Sequence, residues 1–234
     1  MAGAAPKLIF EPYYREVPST DQKRCSRGHI CWCPCLYFKP QIQILNLNTF
    51  DPHHKNPTLF QLDRIKVEAF QERTHKPLVN PPLGADEELL VFTAKRRPVI
   101  ILSSRTEVWQ LRDKGNREEC YLVAPIFSFH EGDDEVWKAR VWAYYYRELF
   151  YLPEDKKFGM DEGMVRFDRL QVVPRDWLSR SDTALTEDVL CLFTGWFQFY
   201  VTGLADELTR EIIFSFREES MAKIEATYGK DSAK

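Results

Sequence analysis

Four cationic side chains lie at the two ends of one apolar segment. Lys95, Arg96 and Arg97 come directly before Pro98–Leu102, and Arg105 follows it. Three positive charges at the entrance of a strand can face one phosphate group, and arginine donates to phosphate through a bidentate fork. The run therefore predicts phosphate binding, and a solvated basic turn is the alternative interpretation of the same residues.

A second cluster could do thiol or metal chemistry. Of the six cysteines, Cys25, Cys31, Cys33 and Cys35 lie within eleven positions. The alternation from Cys31 to Cys35 fits reduced thiols buried on one side of a strand, and same-side thiols are poorly placed for a disulfide within that strand. The run lacks paired C-x-x-C elements. A zinc site that includes His29 is the alternative.

The short motifs of common enzyme classes are missing from the sequence. There is no P-loop, no dinucleotide-binding glycine motif, no zinc-protease motif and no nucleophile elbow. We therefore expect no cofactor. The 234 residues include 44% hydrophobic and 29% charged residues, which excludes wholesale disorder. The net charge of -3 means that any nucleic acid contact must use a local basic patch.

The most apolar stretch is too interrupted to cross a membrane. Cys191–Ala205 contains two glycines and three polar residues, and it falls short of the roughly 20 apolar residues that a bilayer requires. The first residues lack a basic region followed by an apolar core, so we expect no signal peptide. The sequence predicts a cytoplasmic protein without membrane contact.

Strands outnumber helices through the middle of the chain, which predicts a small curled sheet or barrel. Short apolar and β-branched runs predict strands at Gly28–Pro34, Glu88–Thr93, Pro98–Leu102, Cys120–Ile126, Phe150–Pro153 and Met164–Val173. Between the first two, residues 35–87 are rich in proline and asparagine. Weaker strand signals there, at Gln41–Leu45 and Arg64–Phe70, predict a hairpin within an insertion.

The second half of the chain has apolar residues at helical spacing. Trp137, Val141 and Tyr145 predict a helix over Asp134–Leu149. A nearly all-apolar helix is predicted for Leu185–Tyr200, beginning near Thr186, and it should be buried. A third, amphipathic helix is predicted by the apolar stripe Leu204, Leu208, Ile212 and Phe216.

Five segments in chain order carry a family resemblance: RGHICW at 27–32, KRRPVIILS at 95–103, YLVAPI at 121–126, FYLP at 150–153 and GMVRFDRLQVV at 163–173. Together they resemble the opening strand, the basic R-P-V strand, the strand after it and the closing meander of the PemK/MazF-like toxins. The matched parts span residues 27–34 and about 95–178, which is less than half of the chain.

The resemblance implies the fold class α+β, mainly β, with an SH3-like barrel and helices at its rim. It implies a single domain over residues 1–234, with the barrel core at about 26–34 and 88–178. Residues 35–87 are then an insertion after the first barrel strand, and residues 185–228 form a helical C-terminal region. Members of this family are usually homodimers.

The same resemblance implies the toxin of a toxin–antitoxin pair, a metal-independent endoribonuclease acting on single-stranded RNA, with an antitoxin protein as partner. The 2′-hydroxyl attacks the adjacent phosphate, and the enzyme stabilises the extra negative charge. Arg97 aligns with the catalytic arginine of the family. Arg96 and Lys95 would position neighbouring phosphates, and Ser103 and Arg105 complete the expected substrate-binding set.

The chain departs from the family at one catalytic position. Phe127 stands where the family has a threonine, and Ser128, one residue later, is the expected second catalytic residue. A slip of one residue on a strand turns a side chain to the opposite face. Two other functions therefore stay open: a non-catalytic toxin-like barrel that binds a protein partner, as gyrase-poisoning toxins do, and a degenerate structural homologue. Trp32 is expected in the core.

Overall fold

The computed structural model describes residues 9–18, 25–37, 43–47, 60–64, 89–103, 110–113 and 116–229. The chain divides into two compact units, one made of Met1–Pro34 with Arg96–Lys234 and the other of Cys35–Lys95. The second unit contains the predicted insertion, residues 35–87. The assignment of the whole chain to one domain stays a prediction.

The described residues form a mixed fold of helices and mostly antiparallel sheet, which confirms the α+β, mainly β, class. In chain order the strands are β1 Tyr14–Glu16, β2 His29–Tyr37, β3 Gln43–Leu47, β4 Phe60–Arg64, β5 Leu90–Val91, β6 Thr93–Ile101, β7 Gln110–Asp113, β8 Asn116–Ser128, β9 Leu149–Leu152, β10 Gly163–Arg166, β11 Gln171–Pro174 and β12 Ser179–Leu185.

The second unit contains a hairpin, but its second strand, β4, shares only Arg64 with the predicted strand Arg64–Phe70. Strand β3 pairs antiparallel with β4 and, on its other edge, with β5. Ile44 on β3 is buried, at 1% exposure. The later part of the predicted strand Arg64–Phe70 lies outside the described residues.

Strand β8 is the central strand of the sheet in the first unit. The strands follow the order β1, β12, β2, β6, β8, β10, β9, and both β7 and β11 also pair with β8. Val123 on β8 pairs with Ile101 of β6 on one edge and with Gln171 of β11 on the other. Among the described strands, no backbone pairing joins β1 to β9, so the path does not close into a barrel.

The segment predicted as one strand, Met164–Val173, is divided in two, and that prediction was wrong in this respect. β10 and β11 both pair with β8, and a 3-10 turn over Phe167–Arg169 separates them. The turn lets the buried Phe167 ring leave the sheet and pack against Phe193 and Phe197. The free energy gained by burying that ring exceeds the gain from continuing the strand that the alternating sequence predicts.

The first helix is shorter than predicted. Helix α1 spans Glu135–Trp142, and the Asp134 side chain caps it by accepting from the backbone N–H of Trp137 at 2.8 Å. The helix ends because Tyr144 adopts a left-handed backbone with φ of 55°. That turn sends the Tyr144 ring into the core, while Tyr145, predicted on the apolar face, is exposed.

The second helix confirms the predicted buried element. Helix α2 spans Glu187–Thr202 after the N-cap residue Thr186, and it ends at Gly203, whose φ of 74° suits only glycine without strain. Its apolar face joins the main core through Val189, Phe193 and Trp196. Among the helices that the structure describes, none is long and apolar enough to cross a membrane.

The C-terminal helical region follows the predicted apolar stripe only at Ile212 and Phe216, which pack against the main core. It comprises α3 Glu207–Thr209, a π-helical turn Arg210–Phe214 and α4 Ser215–Tyr228. Leu204 precedes the helix and is exposed, and Leu208 is exposed too. The π turn adds a residue to the register, so Ile213 and Ile224 become the buried apolar positions.

Candidate functional site

The basic run of the sequence lies on strand β6 and is split between the two faces of that strand. Successive side chains of a strand alternate, so Arg96 and Arg97 point to opposite faces. Arg96 is exposed and Arg97 is half-buried. Lys95 is exposed and belongs to the second unit. The first unit therefore presents two different cation sites at the start of β6.

The first cation site is centred on the Phe127 ring. The Arg97 guanidinium carbon lies 4.1 Å from the ring centroid, and the Arg166 guanidinium carbon lies 5.5 Å from it. Strands β6 and β10 flank β8, which explains why both cations reach a ring on the central strand. A cation over an aromatic face is stabilised by about 0.5–2 kcal/mol, depending on its exposure.

A carboxylate fixes the direction of Arg166. Its Nε donates to Asp168 Oδ1 at 2.9 Å, and its second nitrogen donates to Asp168 Oδ2 at 2.5 Å. The hydrogen bonds that Arg166 donates to Asp168, followed by the charge of that carboxylate, raise the pKa of Arg166 above its ordinary value, so it stays cationic. Arg169 Nε also lies 3.5 Å from Asp168. This part of the surface, with Arg97, has more positive than negative charge.

Ser128 lies on the other face of β8 from Phe127. By strand alternation its side chain shares a face with Ala124 and Ile126, which belong to the main core, whereas Phe127 packs on a smaller cluster around Met164. The structure therefore does not bring Ser128 to the face that carries Arg97 and Phe127. Met164 and Gly163 of β10 pair with Phe127 and Ser128, which fixes this register.

The remaining predicted substrate-binding residues have different surroundings. The Ser103 hydroxyl accepts a hydrogen bond from the backbone N–H of Leu122 at 3.0 Å, so it extends the β6–β8 pairing past the end of the strand. Arg105 lies outside the described residues. The contacts described for Ser103 do not place it beside Arg97.

The second cation site is an exposed tryptophan with an arginine over it. The Arg96 guanidinium carbon lies 5.3 Å from the Trp32 ring centroid, and one of its nitrogens lies 3.5 Å from Ser179 Oγ. Trp32 is 40% exposed, so the expectation that it lies in the core was wrong. The alternation on β2 explains the exposure, because Cys31 and Cys33 occupy the buried side.

The cysteine cluster has the burial that the alternation predicted. Cys31, Cys33 and Cys35 are at most 3% exposed, and all six cysteines are free thiols. Within the described ranges, no group of three or more His, Cys, Asp or Glu side chains is arranged to hold a metal ion. Exposed Cys191 on helix α2 is the exception to the burial.

Sequence reasoning missed Arg166, Asp168 and the exposure of Trp32. Arg166 follows Arg97 by 69 positions in the chain, and only the pairing of β10 with β8 brings it to Phe127. Arg166 ends β10 and Asp168 lies in the 3-10 turn after it, so their ion pair depends on a turn that the sequence analysis did not predict. In the comparisons, no protein-family model matches this chain and no curated protein matches its sequence significantly.

Proposed function

We propose that this chain is a PemK/MazF-like toxin with an SH3-like barrel, and that it binds and cleaves single-stranded RNA without a metal ion. One observation carries the proposal: two guanidinium groups, Arg97 and Arg166, lie on one aromatic ring of the central strand β8. Cations held in fixed positions are suited to a phosphate that gains charge during reaction.

Arginine can stabilise the negative charge that develops in this reaction, but it is not suited to act as the base. The 2′-hydroxyl gives its proton to solvent while its oxygen attacks the adjacent phosphorus, and the bond from phosphorus to the 5′-oxygen breaks. The 5′-oxygen takes a proton from solvent, so a 2′,3′-cyclic phosphate and a 5′-hydroxyl remain. The phosphorane formed on the way carries extra negative charge, which Arg97 would stabilise through two parallel hydrogen bonds. Arginine does not lose its proton near neutral pH, so Arg97 is not proposed as the base.

The surface around Arg96 supports a single-stranded substrate. Trp32, the ring that Arg96 covers, is 40% exposed. Exposed aromatic rings next to cations bind single strands, because every base can stack on a ring while the cation contacts the backbone. In the proposal, RNA crosses the start of β6, stacks near Trp32 and presents a phosphate to Arg97.

The decisive experiment measures cleavage of a mixed-sequence single-stranded RNA in EDTA. We expect the wild type to cut, and Arg97→Ala to lose about a hundredfold or more in rate, since it loses a donor to the developing charge. Arg96→Ala should weaken RNA binding several-fold with a smaller effect on the maximal rate. Arg210→Ala, an exposed arginine of the C-terminal π turn, is the matched control and should behave as wild type.

The outcomes are distinct because each variant is checked for folding by circular dichroism. Equal cutting by wild type and Arg97→Ala would overturn the assignment of Arg97 and indicate another site or a contaminating nuclease. A folded wild type that binds RNA without cutting it would restrict the proposal to binding. The homodimer and the antitoxin belong to the same proposal, and sedimentation velocity at several concentrations tests the dimer.

The second candidate function is a non-catalytic toxin-like barrel that binds a protein partner. The position of Ser128 favours it, because the expected second catalytic hydroxyl lies on the face opposite Arg97 and Phe127. This candidate predicts neither cleavage nor salt-dependent binding of single-stranded RNA by the folded wild type. The RNA assay therefore separates the two functions without any knowledge of the partner.

A further inference from the structure

The chain before strand β2 folds back so that two thiols meet. Gly28 has a left-handed φ of 84°, and the backbone N–H of His29 donates to the Ser26 carbonyl at 3.0 Å. This turn brings Cys25 next to Cys31 on the strand, and the two thiols are hydrogen-bonded to each other. Both residues are buried, at 2% and 1% exposure.

Two arginines lie beside this pair of thiols. Arg180 on β12 is the direct partner of Cys31 across the β12–β2 ladder, and its side chain hydrogen-bonds Cys25. Cys25 lines an open cleft of about 580 Å³ together with Arg175, Arg180, Asp176 and Leu178. Two guanidinium groups and one carboxylate therefore surround the opening that leads to Cys25.

The surroundings of Cys25 and Cys31 shift the pKa values of their two thiols in opposite directions. The hydrogen bond from Cys31, followed by the hydrogen bond and charge of Arg180, lowers the pKa of Cys25 below its ordinary value. The hydrogen bond to Cys25 and burial raise the pKa of Cys31 above its ordinary value. These opposite shifts favour a thiolate at Cys25 and a protonated Cys31, an arrangement suited to thiol–disulfide chemistry.

We propose that Cys25 is a peroxide-reactive thiolate and that Cys31 resolves its oxidised form into a Cys25–Cys31 disulfide. The Cys25 sulfur attacks one oxygen of hydrogen peroxide; an S–O bond forms, the O–O bond breaks, and hydroxide leaves to take a proton from solvent. Cys31 then loses its proton and attacks the Cys25 sulfur; the S–S bond forms, and the S–O oxygen leaves as water.

The electrons balance over these two reaction steps, since the dithiol loses two electrons and hydrogen peroxide is reduced to two waters. Arg180 and Arg175 would stabilise the thiolate and the departing hydroxide at the cleft. Cys191 is exposed but lies on helix α2, so it provides an internal reference thiol in the same molecule. The proposal is independent of RNA binding and cleavage.

The test treats the reduced full chain with hydrogen peroxide and maps its peptides without reduction. Trypsin separates the two thiols, because Cys25 lies in the peptide 25–27 and Cys31 in the peptide 28–55. We expect these two peptides to be joined, and fragmentation to place the bond at Cys31. With iodoacetamide at pH 7, Cys25 should react at least about tenfold faster than Cys191, because Arg175 and Arg180 at the cleft favour the thiolate of Cys25.

Variants separate the two roles. Cys31→Ser should accumulate a Cys25 sulfenic acid that dimedone traps, and Cys25→Ser should give neither adduct nor disulfide. Arg180→Gln should slow labelling of Cys25 by about tenfold, as expected from a loss of thiolate. Cys191→Ser, the matched control, should form the same disulfide as wild type. Oxidation of Cys191 without a Cys25–Cys31 link in folded wild type would overturn the proposal.

Discussion

The Phe127 ring lies between cations from the two strands that flank β8. Arg97 reaches it from β6 and Arg166 from β10. Two like charges on one ring repel each other, but the ring face and the Asp168 carboxylate offset that repulsion. The arrangement restricts the directions of both guanidinium groups before any anion arrives. Such preorganisation lowers the cost of stabilising a charged transition state.

Gly163 sets the distance between β10 and β8 at this site. A Cβ atom at residue 163 would overlap the backbone carbonyl oxygen of Phe127 and approach Ser128 Cα to 2.8 Å. Both obstacles are backbone atoms, which cannot turn away as a side chain would. We expect Gly163→Ala to lower the free energy of unfolding by about 2 kcal/mol or more, as other overpacked substitutions do.

Gly132→Ala is the matched control for that substitution, because no atom lies within 4 Å of the Cβ that it would add. Its unfolding free energy should stay within about 0.5 kcal/mol of wild type. Denaturant unfolding, followed by fluorescence, measures both variants. Equal stability of the two variants would show that β10 and β8 can separate at Gly163 without cost.

The candidate site was only partly predictable from the sequence. The run Lys95 to Arg97 indicated positive charge, but alternation on a strand assigns Arg96 and Arg97 to different faces. Their aromatic partners, Trp32 and Phe127, come from other strands, so their roles depend on sheet order and register. Register is a property of pairing between distant segments, and a local pattern does not contain it.

At the scale of elements, Trp196 attaches helix α2 to strand β9. Its indole N–H donates to the Leu149 carbonyl at 2.8 Å, and its ring packs against Tyr144 and Phe214 with no exposed surface. Trp196→Phe loses the hydrogen bond and leaves part of the indole volume empty. We expect a loss of about 2–4 kcal/mol in the free energy of unfolding, measured in urea.

Trp177→Phe provides the comparison, because Trp177 is 44% exposed. Its substitution should change the unfolding free energy by less than about 0.5 kcal/mol. If Trp196→Phe were as stable as Trp177→Phe, the attachment of α2 to β9 would not depend on the indole.

Strands with apolar sequences were predicted from the sequence, and the mostly polar strand β12 was not. The apolar runs of β2, β6, β8 and β9 were predicted, because buried strands have a local signature. Strand β12 was missed since its sequence, SRSDTAL, is mostly polar. Its place between β1 and β2 buries Thr183, Ala184 and Leu185, and no local pattern shows that neighbours will cover it.

At the scale of the first unit, tyrosine side chains connect the two ends of the sheet. Strand β1 begins the strand order and β9 ends it. The Tyr13 hydroxyl lies 2.9 Å from the Tyr144 hydroxyl and donates to the Tyr151 carbonyl at 3.3 Å, and the Tyr14 hydroxyl donates to the Pro153 carbonyl at 2.9 Å. Side chains thus make a connection between β1 and the β9 region that backbone pairing does not make among the described strands.

These buried tyrosines predict a loss of stability in alkali. Burial raises the pKa of Tyr13, Tyr14, Tyr144 and Tyr151 well above the ordinary value of 10. Above pH 10 the unfolded chain loses phenol protons that the folded chain keeps, so the folded state binds more protons and its stability falls as pH rises. Below pH 9 the phenols are neutral in both states and contribute no pH dependence. Each such tyrosine contributes up to about 1.4 kcal/mol per pH unit above pH 10.

The measurement compares the free energy of unfolding in denaturant at pH 8, 9.5, 10.5 and 11. Tyr13→Phe should be less stable than wild type at pH 8, by about 1 kcal/mol, because Tyr144 loses its partner. It should also lose stability less steeply above pH 10, since one titrating phenol is gone. Tyr228→Phe, which removes an exposed hydroxyl, should keep the wild-type slope. Equal slopes for Tyr13→Phe and wild type would contradict the account, because they would mean that the phenol of Tyr13 ionises as readily in the folded sheet as in the unfolded chain.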